Sequence, residues 1–103
     1  MSSSEFVQVM EGKTAKSAFR AAVKQALYEH GHNGYTGTIA EKDEEGFIMI
    51  VLPKGTKKTE QNGVDYANQL LHFCDDRISS KYDPAGCIEV RKGMYVFFGQ
   101  AQT

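Results

Sequence analysis

Residues 14–31 carry the most regular hydrophobic pattern in the chain. Apolar side chains recur three or four residues apart, at Ala15, Ala18, Phe19, Ala22, Val23 and Ala26. This spacing places them on one face of an amphipathic helix, with Thr14 as its N-cap and Gly31 as the residue that ends it. Because the face is mostly alanine, we expect the helix to pack closely against a sheet, with Phe19 as its main anchor.

The rest of the chain predicts one more helix and five short strands. A second helical face, formed by Ala67, Leu70, Leu71, Cys74 and Ile78, predicts a helix from about Thr59 to Ile78. Alternating or apolar runs predict strands at residues 5–10, 35–40, 47–52, 87–90 and 94–98. The run 47–52 is apolar throughout, which is typical of a central strand. Polar segments predict hairpin turns at residues 41–46 and 91–93.

The predicted element order, β-α-β-β-α-β-β, indicates an α+β fold. We expect a two-layer sandwich with two helices on one face of a single sheet. The closest general arrangement is ferredoxin-like, the split βαβ order, with an extra C-terminal strand. The pattern leaves the strand order open. Residues 1–103 are expected to form one domain, with residues 1–4 and 100–103 frayed.

Composition excludes several classes of protein. Among 103 residues, 12 Lys and Arg oppose 13 Asp and Glu, so a protein that coats nucleic acid with overall positive charge is disfavoured. Two cysteines do not make a disulfide scaffold. No secretory signal is evident, and the longest apolar run is far shorter than the ~20 residues of a membrane helix. We expect a soluble cytoplasmic protein that needs no cofactor and contacts no membrane.

Loop charges predict a candidate anion-binding site. If successive elements cross the layer in alternating directions, residues 30–35, 53–58 and 91–93 share one end. That end is basic, and the acidic segment 41–46 lies opposite. The start of the second helix favours an anion there, ideally a phosphate-containing small molecule or a nucleic acid. The expected ligand-binding residues are His30, His32, Asn33, Tyr35, Thr36, Lys54, Lys57, Lys58, Thr59 and Arg91. The competing interpretation is that these lysines are simply solvated.

Signals for catalysis and for metal binding are weak. His30 and His32 are two residues apart, but His72 and Cys74 face different sides of a helix, so no metal site is expected. The carboxylates of residues 43–45 lie in an exposed turn, which gives their pKa values no reason to shift. An enzyme acting on a phosphate-containing substrate, with His32 as acid or base, is the alternative to a binding protein.

Aromatic residues near the C-terminus suggest a second kind of surface. Tyr95 and Phe97 alternate along the last predicted strand, and an uncovered sheet face that carries them would stack on nucleic-acid bases or join two copies of the chain. The sequence therefore also predicts a homodimer. A third functional hypothesis is a protein–protein inhibitor that acts through this sheet face.

The segment from Tyr28 to Lys42 includes the run GYTGTIAEK. It resembles a segment of small uncharacterised proteins of bacteriophages and bacterial mobile elements. The resemblance covers about a seventh of the chain and implies an accessory protein in the cytoplasm of a bacterial host. Such a protein would bind or block a host macromolecule, or sequester a small ligand, more often than it would catalyse a metabolic step.

Overall fold

The computed structural model describes residues 3–31 and 36–102, which form an α+β fold with one sheet and two helices. This fold class confirms the prediction. The strands are β1 (Ser3–Glu11), β2 (Phe47–Met49), β3 (Ala85–Arg91) and β4 (Met94–Gln102). The α-helices are α1 (Ala15–His30) and α2 (Glu60–His72), and a short 3₁₀ helix spans Ile39–Lys42.

The sheet supplies the strand order that the sequence left open, β1-β4-β3-β2. Strand β4 is antiparallel to both of its neighbours, and β2 is parallel to β3. It follows that β1, β2 and β3 all run in the same direction. The carboxyl ends of these three strands and the β3–β4 turn therefore meet at one end of the molecule.

The two helices lie on opposite faces of this sheet. Tyr95 and Phe97 of β4 pack with α1, while the alternate residues Val96 and Phe98 pack with α2. Successive side chains of a strand point to opposite faces, so the sheet is covered on both sides. The prediction that both helices share one face, as in a ferredoxin-like arrangement, is wrong. The physical reason is that β3 and β4 are apolar at both alternations and need two covers.

Both helices begin where the sequence predicts. The Thr14 side chain accepts a hydrogen bond from the Ser17 N–H, and the Ser17 hydroxyl oxygen accepts one from the Thr14 N–H. Gly31, with φ of 83°, ends α1. The Thr59 side chain caps α2 by accepting a hydrogen bond from the Asn62 N–H. Helix α2 ends at His72, short of the predicted Ile78. Ile78 is nevertheless buried against the α2 side of the core.

The predicted strand at residues 35–40 does not form in the described part of the chain. Tyr35 lies outside the described residues, and the 3₁₀ helix begins at Ile39. Ile39 and Ala40 are both buried against α1 and the sheet. Two adjacent residues of a strand point to opposite faces, so a helical turn is needed to bury both in one core.

A further expectation is corrected. The apolar run 47–52 begins with an edge strand, β2, rather than a central one. Phe47 packs on the α1 side and Ile48, Ile50 and Leu52 on the α2 side, while Met49 and Val51 are exposed. Near the chain ends, Ser3 and Ser4 pair with β4, and residues 100–102 pair with β1. Whether residues 1–4 and 100–103 fray stays a prediction.

Candidate functional site

The loops at the two ends of the strands differ in charge. The segments 11–14, 53–60 and 89–93 lie together at the carboxyl ends of β1, β2 and β3. We call them the basic end, after the charges that they carry. The loops 36–46 and 73–84, at the amino ends of β2 and β3, are the acidic end. The basic end carries six cations, Lys13, Lys54, Lys57, Lys58, Arg91 and Lys92, against the acids Glu11, Glu60 and Glu89. The acidic end carries seven acids, Glu41, Asp43, Glu44, Glu45, Asp75, Asp76 and Asp83, against Lys42, Arg77 and Lys81.

The sequence-predicted site divides between these two ends. The basic end holds five of its residues, Lys54, Lys57, Lys58, Thr59 and Arg91. His30 ends α1 at the acidic end. Thr36 lies at the acidic end too, since the N–H of the next residue, Gly37, donates to the Gln102 carbonyl over 2.6 Å. The remaining three, His32, Asn33 and Tyr35, lie outside the described residues.

The division follows from the 3₁₀ helix that replaces a predicted strand. Each strand or helix carries the chain once across the layer, so the loss of one crossing reverses the end at which the flanking loop lies. For this reason the loop after α1 lies away from the lysine loop after β2. The combined cleft expected between His30–Thr36 and Lys54–Thr59 does not form in the described residues.

The lysine loop is shaped by local hydrogen bonds. The Thr56 N–H donates to the Pro53 carbonyl over 3.1 Å, and Gly55 takes a φ of 89°, which suits glycine. The Asn62 side chain donates to the Lys57 carbonyl over 2.9 Å. These bonds place Lys57 immediately before the first turn of α2, with its exposed side chain free of any hydrogen-bond partner among residues 3–31 and 36–102.

Two lysines outside the sequence-predicted site also lie at the basic end. The Gly12 N–H donates to the Gly93 carbonyl over 3.0 Å and so joins the end of β1 to the β3–β4 turn. Lys13 and Lys92 consequently line one shallow, open depression of the surface, together with Glu11, Gly12 and Gly93. Only the direction of β1 relative to β3 brings them together, so no local sequence signal identifies the pair.

Both α-helices begin at the basic end. The first N–H groups of a helix have no partner within it, and the helix dipole places partial positive charge there. The first turn of α1 contains no acidic residue, whereas that of α2 contains Glu60. Two helix N-termini, one on each side of the sheet, therefore add to the positive potential of the lysines and the arginine.

The acidic end is more ordered than a solvated turn. Lys42 is fully buried, and its Nζ donates to the Lys81 carbonyl over 2.9 Å and to the Asp83 carbonyl over 2.6 Å. Burial lowers the pKa of Lys42, while Glu45 and Asp83 act to raise it. The Glu41 carboxylate accepts hydrogen bonds from the backbone N–H and hydroxyl of Thr36. The hairpin predicted at residues 41–46 does not form, because a 3₁₀ helix rather than a strand precedes the turn in the described residues. Residues 43–45 are exposed, as expected, and Lys42 ties this segment to the loop before β3.

The aromatic sheet surface expected from Tyr95 and Phe97 is covered by α1. Tyr95 is 4% exposed and Phe97 is fully buried, in contact with Phe19 of α1. The Tyr95 hydroxyl donates to Glu89 over 3.5 Å. Base stacking or dimer formation through this face would require α1 to leave the sheet.

Other chemistry has little support in the part of the chain that the structure describes. No group of three or more His, Cys, Asp or Glu side chains is placed to hold a metal ion there. Burial raises the pKa of Cys87 to about 12, which keeps this thiol protonated and unreactive. No helix within the described ranges is long and apolar enough to cross a membrane.

Comparison with protein-family models, with curated proteins and with solved structures finds no match to this chain. The described residues form an α+β fold that carries positive charge at one end of its strands and negative charge at the other.

Proposed function

We propose that this chain is a small non-enzymatic binding protein whose basic end binds a phosphate-containing ligand. The observation that supports the proposal is the coincidence of six cationic side chains with the N-termini of both α-helices. Each feature alone attracts anions only weakly. Together they set a positive potential over one end of a chain whose net charge is −1.

The spread of the charges favours a ligand with more than one phosphate. Lys13 follows β1, Arg91 and Lys92 lie at the β3–β4 turn, and Lys54 follows β2 at the opposite edge. Neighbouring strands lie about 4.8 Å apart, so the row crosses about 14 Å of sheet. A single inorganic phosphate would engage only part of this row, whereas a polyphosphate or a short nucleic acid would engage several of its side chains.

The acidic end supports the same orientation. Its seven carboxylates lie at the amino ends of β2 and β3 and repel an anion that approaches from that side. The resulting dipole would orient a negatively charged partner towards the lysines and speed its association at low ionic strength. Engagement of a host macromolecule and a bacteriophage origin remain predictions from the sequence.

The test is binding of tripolyphosphate and of a short single-stranded oligonucleotide, measured by calorimetry at several salt concentrations. Substitution of Lys57 and Lys58 by Ala, or of Lys13 and Lys92 by Ala, should weaken binding about tenfold, because each variant removes charge-assisted contacts. Lys24→Ala on the exposed surface of α1 removes the same type of charge away from the basic end and should leave affinity unchanged. Equal losses in all three variants, or no measurable binding of either probe, would refute the proposal.

A further inference from the structure

We propose that two copies of this chain associate through the outer edge of β1, which forms a continuous eight-stranded sheet. Strand β1 lies at the edge of the sheet, and β4 is its sole partner among the described residues. This edge is separate from the basic end and from the sheet face that α1 covers. The occupant that the strand fits best is a second β1.

The register identifies which backbone groups of β1 are free. The Gly12 N–H bonds to the Gly93 carbonyl, so even-numbered residues of β1 direct their N–H and C=O groups towards β4. Gln102 of β4 lies opposite the odd-numbered Ser3, so its carbonyl points away from β1. This direction agrees with the hydrogen bond that the Gln102 carbonyl accepts from the Gly37 N–H. Odd-numbered residues of β1 therefore direct theirs outwards. These outward-facing residues are Ser3, Glu5, Val7, Val9 and Glu11.

Strand β1 lacks most of the features that normally prevent edge pairing. Native edge strands are kept apart by charged side chains, above all lysine, by proline, by a bulge or by being very short, and of these β1 has only Glu5 and Glu11. β1 is nine residues long, contains no Lys or Pro, and keeps one uninterrupted register with β4. Its apolar side chains, Phe6, Val7, Val9 and Met10, are only partly buried by the two core clusters. A strand added at this edge would cover the remainder of these side chains on both faces.

The sequence of β1 is self-complementary. From Glu5 to Glu11 it reads acidic, apolar, Val, Gln, Val, apolar, acidic, and it is therefore nearly symmetric about Gln8. Consider an antiparallel pair of β1 strands related by a two-fold axis that passes between the two Gln8 residues. Val7 of one copy then faces Val9 of the other, and Phe6 faces Met10. Opposed side chains in such a pair lie on the same face of the sheet and contact each other. This symmetry points to a second copy rather than to an unrelated peptide.

The same register opposes Glu5 to Glu11 at both ends of the paired segment. Like charges directly opposite each other weaken strand pairing, and salt screens exposed charges. Association should therefore tighten as ionic strength rises. Binding of an anion at the basic end should weaken under the same change, so the two proposals respond to salt in opposite directions and can fail separately.

Sedimentation equilibrium from micromolar to millimolar protein should show a monomer–dimer equilibrium that shifts towards dimer at high salt. Gln8→Lys places two ammonium groups opposite each other at the axis and should weaken the dimer at least about tenfold. Gln25→Lys, the same change on the exposed surface of α1, should leave association unaffected. Circular dichroism would confirm that both variants are folded. A wild-type chain that stays monomeric throughout would overturn the proposal.

Cross-linking tests the register itself, in a Cys74→Ser background that removes the exposed thiol. At the axis the two Gln8 residues form a non-hydrogen-bonded pair with Cα atoms about 4.5 Å apart, a separation that a disulfide can bridge. Gln8→Cys should therefore yield a covalent dimer on mild oxidation. Ser4→Cys lies on the same strand and face, but its two copies would be about 27 Å apart. Equal cross-linking of the two variants, or none in Gln8→Cys, would overturn the proposed pairing.

Discussion

Alkaline conditions should destabilise this protein through one buried thiol. Cys87 lies on β3 beneath α1 and is fully buried. Burial, followed by the charge of Glu89, raises its pKa from 9.0 to about 12. Above pH 9 the unfolded chain releases the thiol proton while the folded chain retains it. The folded state then binds more protons than the unfolded state, so the free energy of unfolding falls as pH rises.

The size of the effect follows from the two pKa values. Each unit of difference corresponds to about 1.36 kcal/mol, so the full shift of Cys87 from 9.0 to about 12 is worth about 4 kcal/mol. At about pH 11 the thiol alone should account for a loss of about 3 kcal/mol. A loss of this size is a large fraction of the stability of a small domain.

The assay is urea unfolding of the wild-type chain and of Cys87→Ala at pH values from about 8 to about 11. The variant has a constant cost from the deleted sulfur, but it lacks the titration. The lowered pKa of Lys42 acts in the opposite direction, since it favours folding as pH rises, and it is present in both chains. The free energy of unfolding of the wild type minus that of the variant should therefore fall by about 3 kcal/mol across this range. Parallel curves would refute the reasoning.

Three substitutions test the packing. Gly63→Ala, a change that is normally favourable within a helix, should destabilise the protein by about 1–3 kcal/mol. The reason is that the added Cβ would lie 2.9 Å from the buried Val90 side chain. A gain in thermal stability would contradict this. Lys42→Met should cost about 1–3 kcal/mol in urea unfolding, because two carbonyls lose their donor; a stabilised variant would mean that desolvation of the ammonium outweighs its bonds. Cys74→Gly should stabilise by about 1 kcal/mol in the same assay, because Cys74 has a φ of 53°; unchanged stability would contradict the assigned strain.

Local patterns predicted the elements whose causes are local. The α1 boundaries follow from Thr14, Gly31 and a single apolar face, and they are confirmed to within the capping residues. The β3–β4 turn was also predicted, because Gly93 supplies the positive φ that the connection requires. The 3₁₀ helix was missed, since residues 36–40 alternate like a strand and only the burial of Ile39 and Ala40 in one core decides otherwise.

The positions of the candidate site residues were predicted only in part. Lys54, Lys57, Lys58 and Arg91 were assigned to one end of the molecule, and they lie there. His30 was assigned to the same end and lies at the other, because the assignment depended on the number of crossings between α1 and β2. Whether these residues bind a ligand stays a prediction.

The sequence by itself determined the two amphipathic helices, the hairpin at the C-terminus and the presence of a basic and an acidic set of loops. Each of these depends on residues within a few positions of one another. Tertiary structure alone decided that the helices cover opposite faces, that Lys13 joins the basic end and that β1 is left at an edge. These features depend on which strands pair and in which direction, and pairing is set by the burial of the whole core rather than by any single segment.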